Sequence, residues 1–378
     1  MLALDSVKVL DMAYQYPGPY CSMILADLGA DVLKVEVPGL GDPARQWYPF
    51  FGGINRNKKS MSLNLKSREG KEILYKLVKE YDVFMEGFRP GVAERLEIDY
   101  EKLKSIRDDI IYCSISGYGQ QGPYRDLPGH DVNYQAVAGM LNCFDDGKGG
   151  VVLPQVAIGD LSSGMFAVIG ILTSLLVKNK VGIGQYIDIS MLDGLVSWMG
   201  TILAMDAARL ETPVGGDPGY GIFETKDGKR LALGIAFEDW FWQNLCRELN
   251  LEEYSGWNLK QRIEKKEEIT KRLKEKFALK DRDEWFQRLS KANIPIAPAL
   301  SVSEVREDPQ VLFRGMVAEV KDTAGKVVTQ PGVPLKLSET PGTIRKGAPL
   351  LGEHTDEVLK SLGYDEGTIK KLKEEGTV

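Results

Sequence analysis

The chain has 378 residues, of which 43% are hydrophobic and 27% are charged. A chain of this length is expected to form about two or three domains, with a large core that needs neither disulfides nor structural metals. Lys and Arg total 48 against 54 Asp and Glu, and the net charge of −6 argues against a general nucleic-acid binder. With 2 His and 4 Cys, and no CxxC pair, the sequence predicts reduced thiols and no metal site.

Neither the start of the chain nor its most apolar stretch predicts export or a membrane span. Residues 1–13 lack a basic region followed by an apolar core, so we expect no signal peptide. The apolar run 166–177 has 12 residues, which is too short to cross a bilayer. We therefore expect a cytoplasmic protein without a membrane partner.

The first part of the chain alternates short β-rich runs with amphipathic helical patterns. Strands are predicted near residues 7–12, 31–37, 82–88 and 110–116, and helices over 68–81 and 100–107. This alternation predicts an α/β fold with a parallel sheet in a Rossmann-like large domain.

The middle of the chain contains two apolar helical patterns and then changes in composition. The patterns cover residues 160–177 and 191–209, and the first is apolar enough that we expect a buried helix. A glycine-rich loop begins at Gly215, and Asp227-Gly228 predicts a hairpin turn. The expected segments are 1–200 as the N-terminal part of the large domain, 215–315 as a smaller α+β domain, and 320–378 as a segment that returns to the large domain.

Some cationic side chains near strand ends are candidates for anion binding. Arg89 directly follows the strand predicted over 82–88, and open α/β sheets bind ligands beyond the carboxyl ends of their strands. Arg56 and Lys59 lie in a second basic cluster. Solvated surface charge explains such residues equally well.

His130 and Asp160 are the candidate reactive side chains. A lone histidine is more often structural, and Asp160 could be the N-cap of the apolar helix that follows it. A carboxylate near free backbone N–H groups is also a candidate base or nucleophile. The residue types alone leave these alternatives open.

Several segments together carry a family resemblance that covers nearly the whole chain. They are residues 18–36 (GPYCSMILADLGADVLKVE), 55–66 (NRNKKSMSLNLK), 86–96 (EGFRPGVAERL), 117–123 (GYGQQGP) and 351–359 (LGEHTDEVL). The set resembles the family III CoA-transferase superfamily (CaiB/BaiF type), which also contains the α-methylacyl-CoA racemases. The resemblance implies a Rossmann-like large domain built from both termini, a small domain between them, and an interlocked homodimer.

Within this superfamily the motifs divide between two branches. The segments 86–89 (EGFR) and 129–134 (GHDVNY), together with Glu238, resemble the racemase branch. Gly159-Asp160 matches an aspartate found in both branches. The segment 55–58 (NRNK) and the loop at Gly215 resemble the transferases. The balance favours an α-methylacyl-CoA racemase, an isomerase, with a CoA-transferase as the alternative.

The racemase interpretation assigns a role to each matching residue. His130 and Asp160 would remove and return the α-proton of a 2-methylacyl-CoA, and Glu238 would hydrogen-bond His130 from the same or the partner chain. Backbone N–H groups at the start of the helix would stabilise the enolate. The resemblance implies that CoA enters as part of the substrate, with no permanently bound cofactor, and that its binding residues are Arg56, Lys59, Arg89 and Lys34.

The transferase interpretation uses Asp160 as a nucleophile. Its carboxylate would attack an acyl-CoA, and a free carboxylic acid would finally accept the CoA. His130 would then only orient the substrate. A non-enzymatic acyl-CoA-binding subunit is a third alternative.

Overall fold

A computed structural model describes residues 1–144, 150–210 and 216–378 of the chain. The described residues divide into two compact units, Met1–Met199 together with Phe313–Val378, and Gly200–Leu312. The boundary expected at Gly215 lies outside the described residues.

Strands and helices alternate along most of the chain. The strands are β1 (Lys8–Asp11), β2 (Asp31–Glu36), β3 (Lys59–Ser62), β4 (Val83–Glu86), β5 (Ile111–Ser116), β6 (Tyr186–Ser190), β7 (Tyr220–Glu224), β8 (Arg230–Gly234), β9 (Ile296–Pro298), β10 (Val317–Lys321) and β11 (Val327–Pro331). The α-helices are α1 (Pro17–Asp27), α2 (Tyr48–Ile54), α3 (Arg68–Glu80), α4 (Val92–Leu96), α5 (Tyr100–Lys104), α6 (Asp131–Val137), α7 (Ile158–Val181), α8 (Met191–Trp198), α9 (Gly200–Ala207), α10 (Asp239–Leu249), α11 (Leu259–Glu264), α12 (Lys266–Phe277), α13 (Arg282–Lys291), α14 (Val302–Val305), α15 (Pro309–Phe313), α16 (Thr355–Ser361) and α17 (Glu366–Glu374).

The first unit is built on a six-stranded parallel sheet, which confirms the predicted α/β class. The strand order is β3-β2-β1-β4-β5-β6, so the winding direction reverses between β1 and β4. The sequence patterns predicted β1, β2, β4 and β5. They missed β3 and β6, the two edge strands, because these lack a run of buried apolar residues; β3 reads Lys-Ser-Met-Ser, and only the last residue of β6 is buried.

Helices cover both faces of this sheet, as the alternation along β5 illustrates. Tyr112 points into a core that includes residues of α3, α16 and α17. Ile111, Cys113 and Ile115 point into a second core beneath α1 and α7. Successive strand residues face opposite sides of a sheet, so each face has its own core.

Helix α7 is longer and more exposed than the sequence suggested. It runs for 24 residues and is long and apolar enough to span a membrane by length and composition alone, with 44% of its most apolar window buried. Ala167 and Ile171 pack in the core beneath it, whereas Ile169 and Leu176 are exposed. The expectation of a buried helix holds only for the side of α7 that faces the sheet, because a helix on one face of a sheet turns only one side toward it.

The second unit combines a small antiparallel sheet with helices. Its strand order is β7-β8-β9, and a turn containing Asp227-Gly228 joins β7 to β8 as predicted. Gly228 has a φ of 71°, which favours glycine. Trp242 of α10 is fully buried in the core of this unit.

The single helix expected over 191–209 is instead two helices. Helix α8 ends at Trp198, and helix α9 begins at Gly200.

Gly164 permits the close packing of α7 on α1, and this generates a prediction. A Cβ atom at Gly164 would lie 2.8 Å from the Pro17 carbonyl oxygen and 3.0 Å from the Tyr20 ring. We expect Gly164→Ala to lower the free energy of unfolding by about 1–3 kcal/mol, because the helices must separate. Urea unfolding measures this. Gly53→Ala is the control, since a Cβ there meets nothing within 4 Å; equal stability of the two variants would contradict the packing argument.

Candidate functional site

A cavity of about 480 Å³ opens at the carboxyl edge of the parallel sheet, where the strand order reverses. Its walls include Gln15 after β1, Arg89 after β4 and Ser116 at the end of β5. His130 and Asp160 line the same cavity. Open α/β sheets bind ligands at this place. Three of the residues singled out from the sequence, Arg89, His130 and Asp160, therefore meet in one cavity.

Asp160 lies in the first turn of α7 but does not cap the helix. Ala157 is the N-cap residue, and the capping carboxylate comes from Asp131. Its Oδ1 accepts hydrogen bonds from the backbone N–H groups of Gly159 at 2.6 Å and of Asp160 at 3.3 Å. The alternative that Asp160 is the N-cap was therefore wrong. Within the described part of the chain, the carboxylate of Asp160 has no hydrogen-bond partner. It is therefore available to react with a ligand in the cavity.

The pKa of the Asp160 carboxyl group is raised toward neutral pH. Burial raises the pKa of its carboxyl, and the negative charge of Asp131 raises it further, to about 7. Both protonation states are then present near pH 7. A carboxyl group of this kind can take part in proton transfer, or act as a nucleophile once it is ionised.

The backbone groups at the start of α7 are not the free donors that the racemase interpretation expected. The N–H groups of Gly159 and Asp160 donate to Asp131, and Leu161 N donates to the Ala157 carbonyl oxygen at 3.0 Å. These three groups are therefore not free to stabilise a developing negative charge.

His130 is the N-cap residue of α6 and is exposed at the cavity. Its backbone N–H donates to Asn133 Oδ1 at 3.0 Å, and Asn133 N donates to the His130 carbonyl oxygen at 2.8 Å. These bonds fix the backbone of His130 at the start of α6. The exposed imidazole is in a position to contact a ligand bound in the cavity.

The glycines around His130 have a packing role. A Cβ atom at Gly117 would lie 2.4 Å from the Tyr134 ring, and one at Gly129 would lie 2.8 Å from it. Gly119 and Gly122 have φ values of 87° and 98°, which favour glycine. The glycine-rich segment therefore lets the chain turn tightly around Tyr134 at the cavity.

Two arginines that sequence reasoning missed accompany Arg89 at this cavity. Arg95 of α4 and Arg125 both line it. A Cβ atom at Gly91 would lie 3.3 Å from Arg95 Nη1 and 3.7 Å from Arg125 Nη2, so both guanidinium groups approach the same glycine. Arg95 lies in the segment 86–96 that carries the family resemblance, which was the available signal. The three cations give this wall a positive potential suited to an anionic ligand.

Arg56 and Lys34 are placed differently from the CoA-binding role that the resemblance implied. Arg56 is 1% exposed and binds Asp27 at 2.7 Å and Gln330 Oε1 at 3.0 Å. Lys34 is fully buried and lies 3.0 Å from Asp42. Each cation neutralises an internal carboxylate, so neither side chain is available at the surface.

Lys59 lies at the opposite edge of the sheet from the cavity. It is the first residue of β3, and its Nζ lies 3.5 Å from both Asp31, the first residue of β2, and Glu357. In a parallel sheet the amino ends of the strands share one edge. Lys59 is therefore not brought together with Arg89 and Asp160.

Glu238 belongs to the second unit, where it is the N-cap residue of α10. Its Oε2 accepts hydrogen bonds from the backbone N–H groups of Ala236 at 3.1 Å and Phe237 at 3.2 Å. These bonds lower the pKa of its carboxyl. Its expected hydrogen bond to His130 stays a prediction.

Within the described residues, no group of three or more His, Cys, Asp or Glu side chains is arranged to hold a metal ion.

The fold and this site define the class of protein. The chain belongs to CoA-transferase family III, whose sequence model matches residues 4–355. The chain is 28% identical to a CaiB/BaiF family protein from Brucella suis, whose crystal structure matches with a TM-score of 0.85 over 96% of this chain and 99% of that one.

Curated relatives of this chain are named as CoA-transferases. Succinyl-CoA:glutarate CoA-transferase of Mus musculus is 36% identical, with 98% of this chain and 89% of that protein covered. Formyl-CoA:oxalate CoA-transferase of Shigella sonnei is 30% identical, with 98% of each covered. These names support the transferase alternative better than the racemase that the motifs favoured.

The raised pKa of Asp160 predicts a pH-dependent effect on stability. The folded protein holds this proton more tightly than the unfolded chain, so ionisation of Asp160 costs stability increasingly between about pH 4 and pH 7. We expect the melting temperature of Asp160→Asn to exceed that of the unmodified protein by more at pH 8 than at pH 4.5. Differential scanning calorimetry at both pH values measures this; the same difference at both would contradict it.

The internal position of Arg56 predicts a structural rather than a ligand-binding effect. Arg56→Met leaves Asp27 buried without its cation, which we expect to cost about 3–5 kcal/mol of unfolding free energy. The affinity for CoA should stay unchanged at a temperature where the variant is folded. Lys59→Met is the control, because its ion pairs are partly exposed and contribute little. A stable Arg56 variant with weakened CoA binding would overturn this assignment.

Proposed function

We propose that this protein is a CoA-transferase that moves CoA from an acyl-CoA to a free carboxylic acid, with Asp160 as the nucleophile. The observation that carries the proposal is the position of Asp160. Its carboxylate lines a cavity at the reversal of strand order and is not used to cap its own helix. The names of the relatives support the same reaction.

The reaction follows from the chemistry of an aspartate whose carboxylate has no hydrogen-bond partner among the described residues. The ionised Asp160 attacks the thioester carbonyl and releases CoA thiolate, which leaves an acyl-aspartyl anhydride. The thiolate attacks the aspartyl carbonyl, which releases the donor acid and leaves an enzyme–CoA thioester. The acceptor carboxylate attacks this thioester, and the released thiolate then takes the new acyl group and restores Asp160.

His130 has an orienting role in this proposal. Its exposed side chain lines the cavity that also contains Asp160. An imidazole in that position can hydrogen-bond the acyl group or the acceptor carboxylate, which holds the reacting atoms together. Dicarboxylic acids such as glutarate and oxalate, named for the relatives, are the first acceptors to test.

A second cavity provides room for the adenosine end of CoA. It has a volume of about 420 Å³ and is lined by apolar side chains at or just after the ends of the first three strands, among them Met12, Val35 and Leu63, and by the exposed Lys66. Tyr14 and Phe88 line both this cavity and the one with Asp160. In the proposed complex the adenine lies in the second cavity, and the phosphates lie near Arg89 and Arg95.

Racemisation is the second candidate function, and one observation favours it. His130 and Asp160 line the same cavity, and the pKa of Asp160 is about 7. Removal and return of an α-proton needs two acid/base groups on opposite sides of the α-carbon. The two reactions differ in whether Asp160 becomes covalently modified.

We also propose that the protein is a homodimer. Helix α7 exposes Met165, Ile169 and Leu176 on the side turned away from the sheet. Exposed apolar surface of this kind is typical of protein–protein interfaces. A second copy of the chain is the partner we expect there.

The covalent intermediate provides the test of the proposed function. After incubation with succinyl-CoA, hydroxylamine should inactivate the protein and convert Asp160 to a hydroxamate, detected by peptide mass spectrometry. The same treatment without acyl-CoA is the control. Asp160→Ala should abolish both transfer and labelling.

A different outcome would identify the second candidate function. If Asp160 stays unlabelled and the protein exchanges the α-proton of a 2-methylacyl-CoA in deuterated buffer, the transferase proposal fails and racemisation replaces it. His130→Ala should then lose the exchange, whereas in a transferase it should only slow the transfer.

A further inference from the structure

Ser116, the last residue of β5, has a buried hydroxyl group without a partner. The residue is 5% exposed, and its Oγ has no hydrogen-bond partner within the described part of the chain. Leaving a buried hydroxyl unpaired costs about 1–3 kcal/mol. Ser116 also lines the cavity that contains Asp160. A ligand in that cavity is therefore the natural source of the missing partner.

Two nearby serines on β5 and β6 differ from Ser116 because they have partners. Ser114, on the same strand, accepts a hydrogen bond from Gln120 Nε2 at 2.7 Å. Ser190, paired with Ser116 across β5 and β6, accepts one from Asp193 N at 3.1 Å and caps α8. Of these three serines, only Ser116 has a hydroxyl without a partner in the described part of the chain, and it is the one that lines the cavity.

Strand geometry indicates which part of a ligand Ser116 would meet. Ile115 faces the core beneath α7, so Ser116 faces the opposite side of the sheet, together with Tyr112. Helix α4, which carries Arg95, packs on that same side through Ala93.

Asp160 lies on α7 on the other side of the sheet. A ligand that extends from the arginines to Asp160 must therefore cross the carboxyl edge of the sheet, where Ser116 lines the cavity. In the proposed complex, the part of CoA that makes this crossing is the pantetheine arm, between the phosphates and the thioester. The arm carries amide groups whose carbonyl oxygens accept hydrogen bonds.

We propose that the Ser116 hydroxyl donates a hydrogen bond to an amide carbonyl of the pantetheine arm where CoA crosses the end of β5. The inference rests on the proposed function, because it takes acyl-CoA as the ligand. Ser116 guides the arm from the arginine side of the sheet to the Asp160 side, so that the thioester reaches the carboxylate. The hydroxyl thereby acts as a recognition group for the arm, separate from the groups that bind the phosphates.

A ligand with the pantetheine arm and one without it test this assignment. CoA carries the arm, and adenosine 3′,5′-bisphosphate lacks both the arm and the phosphate to which the arm is attached. By isothermal titration calorimetry, Ser116→Ala should weaken CoA binding about threefold to tenfold, which corresponds to one lost neutral hydrogen bond. The affinity for adenosine 3′,5′-bisphosphate should not change.

Ser174→Ala is the matched control, because it also removes a buried hydroxyl group. Ser174 lies on α7, and its Oγ donates to the Gly170 carbonyl oxygen at 2.8 Å. Ser174→Ala should lower the melting temperature and leave the affinities for both ligands unchanged. Ser116→Ala should not lower the melting temperature, since its hydroxyl has no internal partner to lose.

Three results would overturn the assignment. Unchanged CoA affinity in Ser116→Ala would show that the proposed hydrogen bond does not form. Equal weakening of the affinities for both ligands would indicate a general disturbance of the cavity. Unchanged CoA affinity with a raised KM for the acceptor acid would assign the hydroxyl to the acid. If the unmodified protein binds no CoA at all, the proposed function itself fails, which is a distinct result.

Discussion

The reversal of strand order between β1 and β4 is the constraint on which the rest of this structure depends. Connections leave the two strands toward opposite sides of the sheet, so their carboxyl ends are left uncovered. The chain that follows each strand must then border the resulting crevice. Gln15, Arg89 and Ser116 reach one cavity for this reason, although they are far apart in the sequence.

The carboxylate of Asp131 connects His130 and Asp160 within that crevice. Asp131 follows His130 in the chain and accepts hydrogen bonds from the first turn of α7, which holds the start of that helix beside His130. Its charge also contributes to the raised pKa of Asp160. Part of the Gly-His-Asp segment therefore has a structural role. Such a segment is compatible with a transferase as well as a racemase, and the names of the relatives support the transferase.

The cations of the first unit serve two purposes that the sequence does not separate. Arg56 joins Asp27 at the end of α1 to Gln330 in the returning C-terminal segment, and Lys34 neutralises Asp42. Arg89, in contrast, is exposed at the cavity. An overall charge of −6 is compatible with binding an anionic ligand because these few exposed arginines act locally.

The sequence by itself determined the α/β class, the strands β1, β2, β4 and β5, and the candidates Arg89, His130 and Asp160. Apolar periodicity and glycine-rich turns depend on neighbours along the chain, so they can be read directly. Only the tertiary structure decided that Arg56 and Lys34 are internal, that Lys59 lies at the far edge, and that Asp131 caps α7. It also revealed that the hydroxyl of Ser116 has no hydrogen-bond partner within residues 1–144, 150–210 and 216–378. A charged or polar residue looks the same in sequence whether it meets solvent, an internal carboxylate or a ligand, because its partners come from distant parts of the chain.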